Sequence, residues 1–332
     1  MSRFASHTWG TEGDVTEMLL AAQGFAQGFA QQVVSGIGSG AVFASLALAL
    51  VLIYRAMAVA NFAQGEMAMF GTFIAYALIS GDFGVLGSKL TFLTGIHLNF
   101  WLVFVVTVAV SFLLGILIER IVIRPFEGAP LLTLVIVTLG LFSILNGAAG
   151  LNWGYVFKTF YSPFPQDSFN IGGVYVGKQD LGVICVTLVV LAIVFAFFRF
   201  TKLGLAMRAA ALYPEYTRLL GVRTGTMLAL GWGLAAAVGT VSGMLVAPVV
   251  FLDPNMMQAV LLFAFAAAVL GGIESPVGSV VGGILIGVLL ALVGTYLPGG
   301  QNLRIPMALV VIVVVLVVRP AGLFGQIEAR RV

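Results

Sequence analysis

Long apolar runs separated by short polar stretches dominate this sequence. They lie near residues 33–54, 60–80, 99–118, 131–150, 181–199, 226–250, 257–273, 277–297 and 305–318. About 20 apolar residues are needed to cross a bilayer as a helix, and in lipid only helices or closed barrels satisfy their own backbone. Because the runs are continuous rather than alternating, they predict an all-α, polytopic membrane helix bundle with about eight to ten transmembrane helices. The second, seventh and ninth runs are short or broken and predict interrupted helices.

The composition excludes the usual soluble and catalytic classes. Charged residues make up 9% of the chain, against about a quarter in a soluble domain. The single cysteine, Cys185, and the distant histidines His7 and His97 provide neither a disulfide framework nor a metal site. The stretch Gly172–Lys178 approaches a nucleotide-binding P-loop, but Gln179 follows where that motif requires Ser or Thr. We therefore predict no catalytic residue, no metal and no cofactor in this chain, and no nucleic-acid partner.

Basic residues predict the orientation of the bundle, because Lys and Arg collect in short cytoplasmic loops. Alternation through the nine runs places most of them on one side, which predicts that 201–225 and the C-terminus are cytoplasmic and that 151–180 and the N-terminus are external. The residues on the predicted cytoplasmic side are Arg55, Arg120, Arg124, Arg199, Lys202, Arg208, Arg218, Arg223, Arg319, Arg330 and Arg331.

We divide the chain into three parts. Residues 1–32 lack a basic start, an apolar stretch and a small-residue cleavage site, and are predicted to form an N-terminal tail and amphipathic lead-in. Residues 33–325 form the transmembrane domain, with the cytoplasmic segment 201–225 inside it. Residues 326–332 form a cytoplasmic C-terminal tail.

Glycines repeat at four-residue spacing within several runs. Small residues on one helix face let two helix backbones approach closely in lipid, so these pairs predict close helix packing. Hinges in a moving bundle are the alternative. The pairs are Gly36/Gly40, Gly239/Gly243, Gly278/Gly282 and Gly283/Gly287.

The segment 201–225 is the longest polar stretch in the second half of the chain. Its pattern predicts a short helix, a turn at Pro214, a second short helix and a glycine stop at Gly221. Two interpretations remain open for it. Its charges are explained by the positive-inside bias alone, or the segment is a docking helix that enters a cleft on a soluble partner.

The stretch VANFAQGEMAMFG, residues 59–71, places Asn61, Gln64 and Glu66 beside apolar runs. An ionisable residue at membrane depth costs about 2.5–3.5 kcal/mol on insertion scales and usually faces a bundle interior or a water-filled cavity. The three residues form a buried polar network that bridges helices, or line the solute path, or lie at the cytoplasmic interface without a special role.

A second polar break, FLDPNMMQ at 251–258, contains Asp253 and Asn255. Paired interruptions of this kind occur in transporters built from inverted repeats, so we consider an internal repeat. Together with Asn61, Gln64 and Glu66, Asp253 and Asn255 are our candidates for a translocation path or a helix-bridging polar cluster.

Five blocks of the chain resemble the permease subunits of the branched-chain (hydrophobic) amino acid ABC importer family. They occur in family order and cover roughly residues 30–325: NFAQGEMAMFG at 61–71, ERIVIRPFEGAPLLTLVIVTLG at 119–140, TKLGLAMRAAALYPEYTRLLGVRT at 201–224, AAAVLGGIESPVGSVVGGILIG at 266–287 and RPAGLFG at 319–325.

The resemblance implies that 205–223 is the coupling segment that engages an ATPase. The positions it implicates are Arg208, Ala210, Glu215, Arg218 and Gly221. The sequence departs from the family by placing Pro214 directly before Glu215, where relatives often continue a more acidic helix, and this bears on the docking geometry.

The resemblance also implies a function and a set of partners. The chain would be the permease subunit of an ATP-driven importer in a bacterial inner membrane, for branched-chain or other amino acids or a related small amide, urea or carboxylate. Its partners would be a second permease subunit, two cytoplasmic ATPase subunits that carry ATP and Mg, a periplasmic solute-binding protein and the lipid bilayer. An ion-coupled secondary transporter or a channel that acts without ATPase partners is the alternative.

Overall fold

The computed structural model describes residues 12–57, 59–89, 99–165 and 167–325, and its architecture is an α-helical bundle with one small hairpin. Every predicted apolar run falls on a helix, so the all-α membrane class is confirmed. The helices are α1 (Glu12–Met57), α2 (Gln64–Ser80), α3 (Gly84–Lys89), α4 (Phe100–Ile118), α5 (Leu131–Trp153), α6 (Lys178–Phe200), α7 (Lys202–Leu212), α8 (Pro214–Leu219), α9 (Thr224–Val250), α10 (Met257–Gly271), α11 (Pro276–Tyr296) and α12 (Gly300–Val318).

Two further features complete the element order. A π turn (Glu119–Ile123) and a 3-10 turn (Arg124–Phe126) extend α4. Strands β1 (Ser168–Ile171) and β2 (Val174–Gly177) form an antiparallel hairpin in which Ser168 lies opposite Gly177.

Seven helices in the described part of the chain are long and apolar enough to cross a membrane. The predicted short runs two and seven are α2 and α10, with 17 and 15 residues. At 1.5 Å per residue α10 reaches about 22 Å, less than the roughly 30 Å of hydrocarbon, so α10 by itself is too short to cross a bilayer. The prediction of a short or interrupted ninth run was wrong: α12 is a 19-residue helix, because the polar residues from Gly300 onward begin the helix before the apolar run starts.

The N-terminal boundary at residue 32 does not coincide with a break in the structure. Helix α1 has 46 residues and continues through that position, because nothing between Glu12 and Met57 stops a helix. Residues 1–11, His97 and the predicted C-terminal tail 326–332 lie outside the described residues.

An inner group of helices forms the core. Helix α1 packs between α9 and α11, α2 packs on α9, and α10 packs on α11. Most of α1 and α9 is buried, whereas α5, α6 and α12 expose most of their apolar surface. Such an apolar exterior fits a surface that contacts lipid. The largest buried side chains include Leu46, Phe73, Trp232, Met257 and Ile286.

The glycine pairs lie where helices pack closely, as predicted. A Cβ at Gly36 would lie 2.6 Å from the Cα of Val288, and one at Gly40 would lie 2.8 Å from the Cα of Ile284. Gly283 and Gly287 face α1 from the other side of the same interface. Gly278 and Gly282 face α10, while Gly239 and Gly243 face α2.

The two ends of the bundle differ. At one end, the hairpin face, Gln31 of α1 bonds to the backbone of Tyr175 in β2, and Phe25 packs on Tyr296. At the other end, the α7 face, α7 and α8 join α6 to α9. The beginning of α1 and the predicted external loop therefore share one face. Which face is cytoplasmic stays a prediction.

Candidate functional site

The chain between α1 and α2 is not helical, and Asn61 satisfies its backbone. The side-chain oxygen Oδ1 of Asn61 accepts from the N–H of Ala63 at 3.0 Å, and the Asn61 carbonyl accepts from the N–H of Gln64 at 3.3 Å. Asn61 is buried. Non-helical backbone at membrane depth is tolerated only where its polar groups find partners inside the protein, and Asn61 provides them.

Gln64 bridges α2 to α9. Its Nε2 donates to the carbonyl of Ala235 at 2.8 Å, and its Oε1 accepts from Nδ2 of Asn61 at 3.3 Å. A Cβ at Gly239 would lie 2.6 Å from Nε2 of Gln64, so the glycine leaves room for the amide. Asn61 and Gln64 therefore form a buried network that joins two helices, which was one of the three interpretations of this stretch.

Glu66 points away from that pair. Its carboxylate is buried, and Oε2 accepts from Nδ2 of Asn146 in α5 at 3.3 Å. The same Asn146 nitrogen lies 2.9 Å from the Pro254 carbonyl and 3.2 Å from Oδ1 of Asn255. One amide thus connects the first polar break with the second.

The second break, predicted at 251–258, is non-helical at 251–256, where the chain turns from α9 into the short α10. It begins at Phe251, which has a positive φ of 64°, and Leu252 then pairs with Lys158 of the loop after α5. Oδ2 of Asp253 accepts from the N–H of Asn255 at 3.0 Å, and Oδ1 of Asn255 accepts from Gln258 at 2.9 Å.

The structure divides the candidate polar residues into two groups. Glu66 and Asn255 meet at Asn146, and Asp253 joins them by accepting from the N–H of Asn255. We call Glu66, Asn146, Asp253 and Asn255 the polar cluster. Asn61 and Gln64 lie outside the polar cluster. The inverted repeat stays a prediction.

The sequence analysis missed Asn146 and its neighbour Tyr155, whose hydroxyl donates to Oδ1 of Asn146 at 3.0 Å. A lone amide inside the apolar run 131–150 was the available signal, since polar residues within membrane segments commonly mark functional positions. Asn146 is half-buried, whereas Asn255 and Tyr155 are exposed. The polar cluster is therefore open to the exterior of this chain along α5.

The segment 201–225 has the predicted form of two short helices and a glycine stop. The Thr201 side chain caps α7 by accepting from the N–H of Gly204. Pro214 starts α8, and Gly221 has a φ of 82°, which favours glycine and ends the segment. Leu219 and Leu220 are each 84% exposed, which makes α8 the most open apolar tip on this face.

The predicted coupling residues occupy two different surroundings. Glu215, Arg218 and Gly221 are exposed on α8 and the following turn. Arg208 and Ala210 of α7 are half-buried. Ala210 lines a recess of about 370 Å³ that Arg218 also borders, and Arg208 turns toward a separate groove.

An ion pair between Lys158 and Asp82 lies at the hairpin face, beside the polar cluster. Nζ of Lys158 lies 3.0 Å from Oδ2 of Asp82, which follows α2. Burial by itself raises the pKa of Asp82, but the N–H of Gly84 and the Lys158 ammonium outweigh it and hold that pKa below its ordinary value. Burial likewise opposes the charge of Lys158, yet Asp82 and Tyr76 raise the pKa of Lys158 above its ordinary value. Both side chains are therefore charged at neutral pH.

Comparisons with known proteins identify the family of this chain. Residues 32–319 match the family described as branched-chain amino acid transport system, permease component. The chain is 29% identical over 307 residues to the high-affinity branched-chain amino acid transport system permease protein BraD of Pseudomonas aeruginosa, covering 91% of this chain and 97% of BraD. It is 29% identical over 311 residues to LivH of Escherichia coli, covering 91% and 97%.

An archaeal relative extends the comparison. The probable branched-chain amino acid transport permease protein LivH of Methanocaldococcus jannaschii is 26% identical over 290 residues, covering 84% of this chain and 87% of that protein. Because the family match spans nearly all of the described helices, this chain belongs to the family of branched-chain amino acid transport permease components.

Proposed function

We propose that this chain is the membrane-spanning permease subunit of an ATP-driven importer for branched-chain or other small amino acids, with the polar cluster on its translocation path. The observation that carries the proposal is the exposure of Asn255, Gln258 and Tyr155 around the buried Glu66. Polar and charged groups at membrane depth do not face lipid but a bundle interior or water. The surface that these residues form beside α5 therefore faces a cavity or another protein.

A second permease subunit, identical or related, is the partner that best encloses this surface. Helix α5 contacts the rest of the chain sparsely, and a Cβ at Gly140 or Gly147 would meet nothing within 4 Å. Two such surfaces facing each other would shut out lipid and leave a central path between the polar clusters. The cluster offers the carboxylates of Glu66 and Asp253 beside the amides of Asn146 and Asn255, which suits the ammonium group of a zwitterionic amino acid.

The α7 face is the proposed docking surface for a cytoplasmic ATPase subunit. Each of the two permease subunits would dock one, so the importer would hold two ATPase subunits. Leu219 and Leu220 project beside the exposed charges of Glu215 and Arg218, and an apolar tip with a charged rim resembles the anatomy of protein interfaces. ATP and Mg would be held by the ATPases. A periplasmic solute-binding protein would deliver solute at the hairpin face of an importer in a bacterial inner membrane.

The experiment is leucine uptake into proteoliposomes that contain this chain with its second permease and ATPase subunits, together with the binding protein. We expect uptake that requires both ATP and the binding protein. Uptake by this chain alone, driven by an ion gradient, would overturn the proposal in favour of a secondary transporter.

Substituting Glu215 tests the docking surface. Glu215→Arg reverses an exposed charge on α8, so we expect solute-stimulated ATP hydrolysis to fall at least tenfold, because like charges across an interface cost several kcal/mol, while membrane insertion stays normal. Arg319→Gln is the control, because Arg319 is exposed and lies outside α7 and α8 on the same face of the bundle. Equal ATP hydrolysis by wild type and Glu215→Arg would remove Glu215 from the docking surface.

A further inference from the structure

A groove of about 580 Å³ lies between α1, α6 and α11, and α7 closes one end of it. Its walls are apolar along most of their length. They include Leu52 of α1, Leu191 of α6 and Val280 of α11. Phe195 and Val277 on its walls are 60% and 58% exposed, so the groove opens sideways onto the apolar exterior of the bundle.

Three arginines lie at the α7 end of this groove. Arg55 occupies the last turn of α1, Arg199 the last turn of α6, and Arg208 the middle of α7. Elements far apart in sequence thus bring three positive charges to one place. Positive-inside bias alone requires only that they share a face of the bundle, not that they converge on one groove.

These three charges have no ion-pair partner in the described part of the chain. None of the three arginines forms a hydrogen bond or an ion pair with a described side chain, and Nε of Arg208 is buried without a partner. Arg208 acts on Arg55 by like-charge repulsion, and Glu274 is the one nearby acidic group that acts on Arg55 among the described residues. A buried polar atom without a partner is costly, so the end of the groove favours an anion.

We propose that this groove binds one anionic phospholipid from the membrane leaflet at the α7 face. The phosphate lies against Arg55, Arg199 and Arg208, and an acyl chain runs along the apolar walls toward the membrane interior. A lipid combines the two chemistries that the groove presents, since basic pockets between membrane helices bind acidic head groups. A soluble partner could reach the arginines but not the apolar walls, which lie along membrane-spanning helices.

This lipid would join α7 to α1 and α6. Arg208, which the family resemblance assigned to ATPase coupling, faces the groove rather than the exposed tip of α8. It therefore holds α7 in place through the lipid, while α8 presents the surface for docking. The lipid site does not depend on which solute the protein carries.

The head-group test uses the full-length chain, stripped of lipid in detergent and titrated with palmitoyl-oleoyl phosphatidylglycerol or phosphatidylethanolamine, with native mass spectrometry as the readout. We expect one phosphatidylglycerol to bind at least fivefold more tightly than phosphatidylethanolamine. Arg55→Gln and Arg208→Gln should each weaken phosphatidylglycerol binding about fivefold, the effect of one basic residue near an acidic head group. Arg208→Lys keeps the charge and should bind nearly as wild type.

Arg319→Gln is the control, because Arg319 is exposed on the same face and does not line the groove. A thermal melt of each variant checks that it is folded. Equal affinity of the wild type for the two lipids would overturn the proposal. So would unchanged phosphatidylglycerol binding in a folded Arg55→Gln/Arg208→Gln double variant, or inorganic phosphate at millimolar concentration displacing the lipid.

The acyl-chain test separates the groove from a merely basic surface. Ala192 is exposed and lines the groove, so Ala192→Trp fills it from α6 without disturbing the core. Ile193, the next residue, is 62% exposed and does not line the groove, so Ile193→Trp is the matched control. We expect Ala192→Trp to lose most phosphatidylglycerol binding and Ile193→Trp to keep it. Equal binding by both variants would place the lipid outside the groove and overturn the proposal.

Discussion

Asn146 is the side chain on which the polar cluster depends. Its single NH2 group faces the Glu66 carboxylate, the Pro254 carbonyl and the Asn255 amide oxygen. An amide has two N–H donors, so three acceptors share two hydrogens, and the Glu66 carboxylate, at 3.3 Å, is held less closely than the Pro254 carbonyl, at 2.9 Å. Under the proposed function, the Glu66 oxygen that Asn146 does not bond would be free to accept from a passing solute.

We expect Asn146→Ala to lower ATP-driven amino acid uptake at least about fivefold. The substitution removes the donor from the buried Glu66 carboxylate, and leaving such a group unsatisfied costs about 1–3 kcal/mol. The measurement is uptake per folded transporter in proteoliposomes. Ser143→Ala is the matched control on the same helix, because among the described residues the Ser143 hydroxyl bonds only to the Leu139 carbonyl of α5. If both variants transport as wild type does, Asn146 only bridges helices.

Helices α1 and α11 form the closest interface in the described part of the chain. Glycines from both helices alternate along it, so each backbone lies against the other, and side-chain hydrogen bonds do not connect the two helices among the described residues. Without a hydrophobic driving force between helices in lipid, this association depends on van der Waals packing. The interface therefore tolerates little added volume.

Gly40→Ala tests this interface. The added Cβ would lie 2.8 Å from the Cα of Ile284, which belongs to the backbone and cannot rotate away. We expect a loss of about 1–3 kcal/mol in stability, the usual cost of overpacking, seen as a lower melting temperature in detergent. Gly24→Ala on the same helix meets nothing within 4 Å and should melt at or above the wild-type temperature, because alanine favours helix. Equal melting of the two variants would contradict close packing.

The hairpin face is held together by contacts between distant parts of the chain. Asp82 after α2 pairs with Lys158, whose backbone pairs with Leu252 between α9 and α10. The Asp82 carbonyl also accepts from the indole N–H of Trp153 at the end of α5. Four helices that border the polar cluster are thus connected at one point, so the charge state of Asp82 affects the whole face.

The depressed pKa of Asp82 predicts an acid-dependent stability. The contribution of Asp82 is complete above pH about 4, the ordinary aspartate pKa, and is lost as the pH falls through the lower pKa of the folded protein. Because Asp82 is partly exposed, we expect no more than about 1 kcal/mol. The melting temperature of wild type should therefore fall more steeply below pH 4 than that of Asp82→Asn. Asp167→Asn is the control, because Asp167, the partner of Lys178, is more exposed than Asp82. Its melting temperature should fall with pH as that of wild type does. If the melting temperature of Asp82→Asn also falls as steeply as that of wild type, the ion pair between Asp82 and Lys158 contributes nothing to stability.

The positions of the helices were predictable from the sequence, because burial in lipid requires long apolar runs and each run had only one way to satisfy its backbone. The two short helices of the segment 201–225 were predictable as well, since Pro214 and Gly221 carry local conformational signals. Local signals could not show that Arg208 faces a groove while Glu215 is exposed, because that difference depends on how α7 packs against α1 and α6.

The polar stretch around Glu66 also separates what the sequence predicts from what helix packing decides. The sequence by itself determined the membrane class, the approximate span of each helix and the presence of polar groups at membrane depth, because hydrophobicity and hydrogen bonding act on each segment separately. Only the tertiary structure decided that Gln64, which pairs with Asn61, bonds to α9 while Glu66 meets Asn146 and the second break. Those contacts join segments separated by 80 residues or more, and their geometry is set by helix packing, which no single segment encodes.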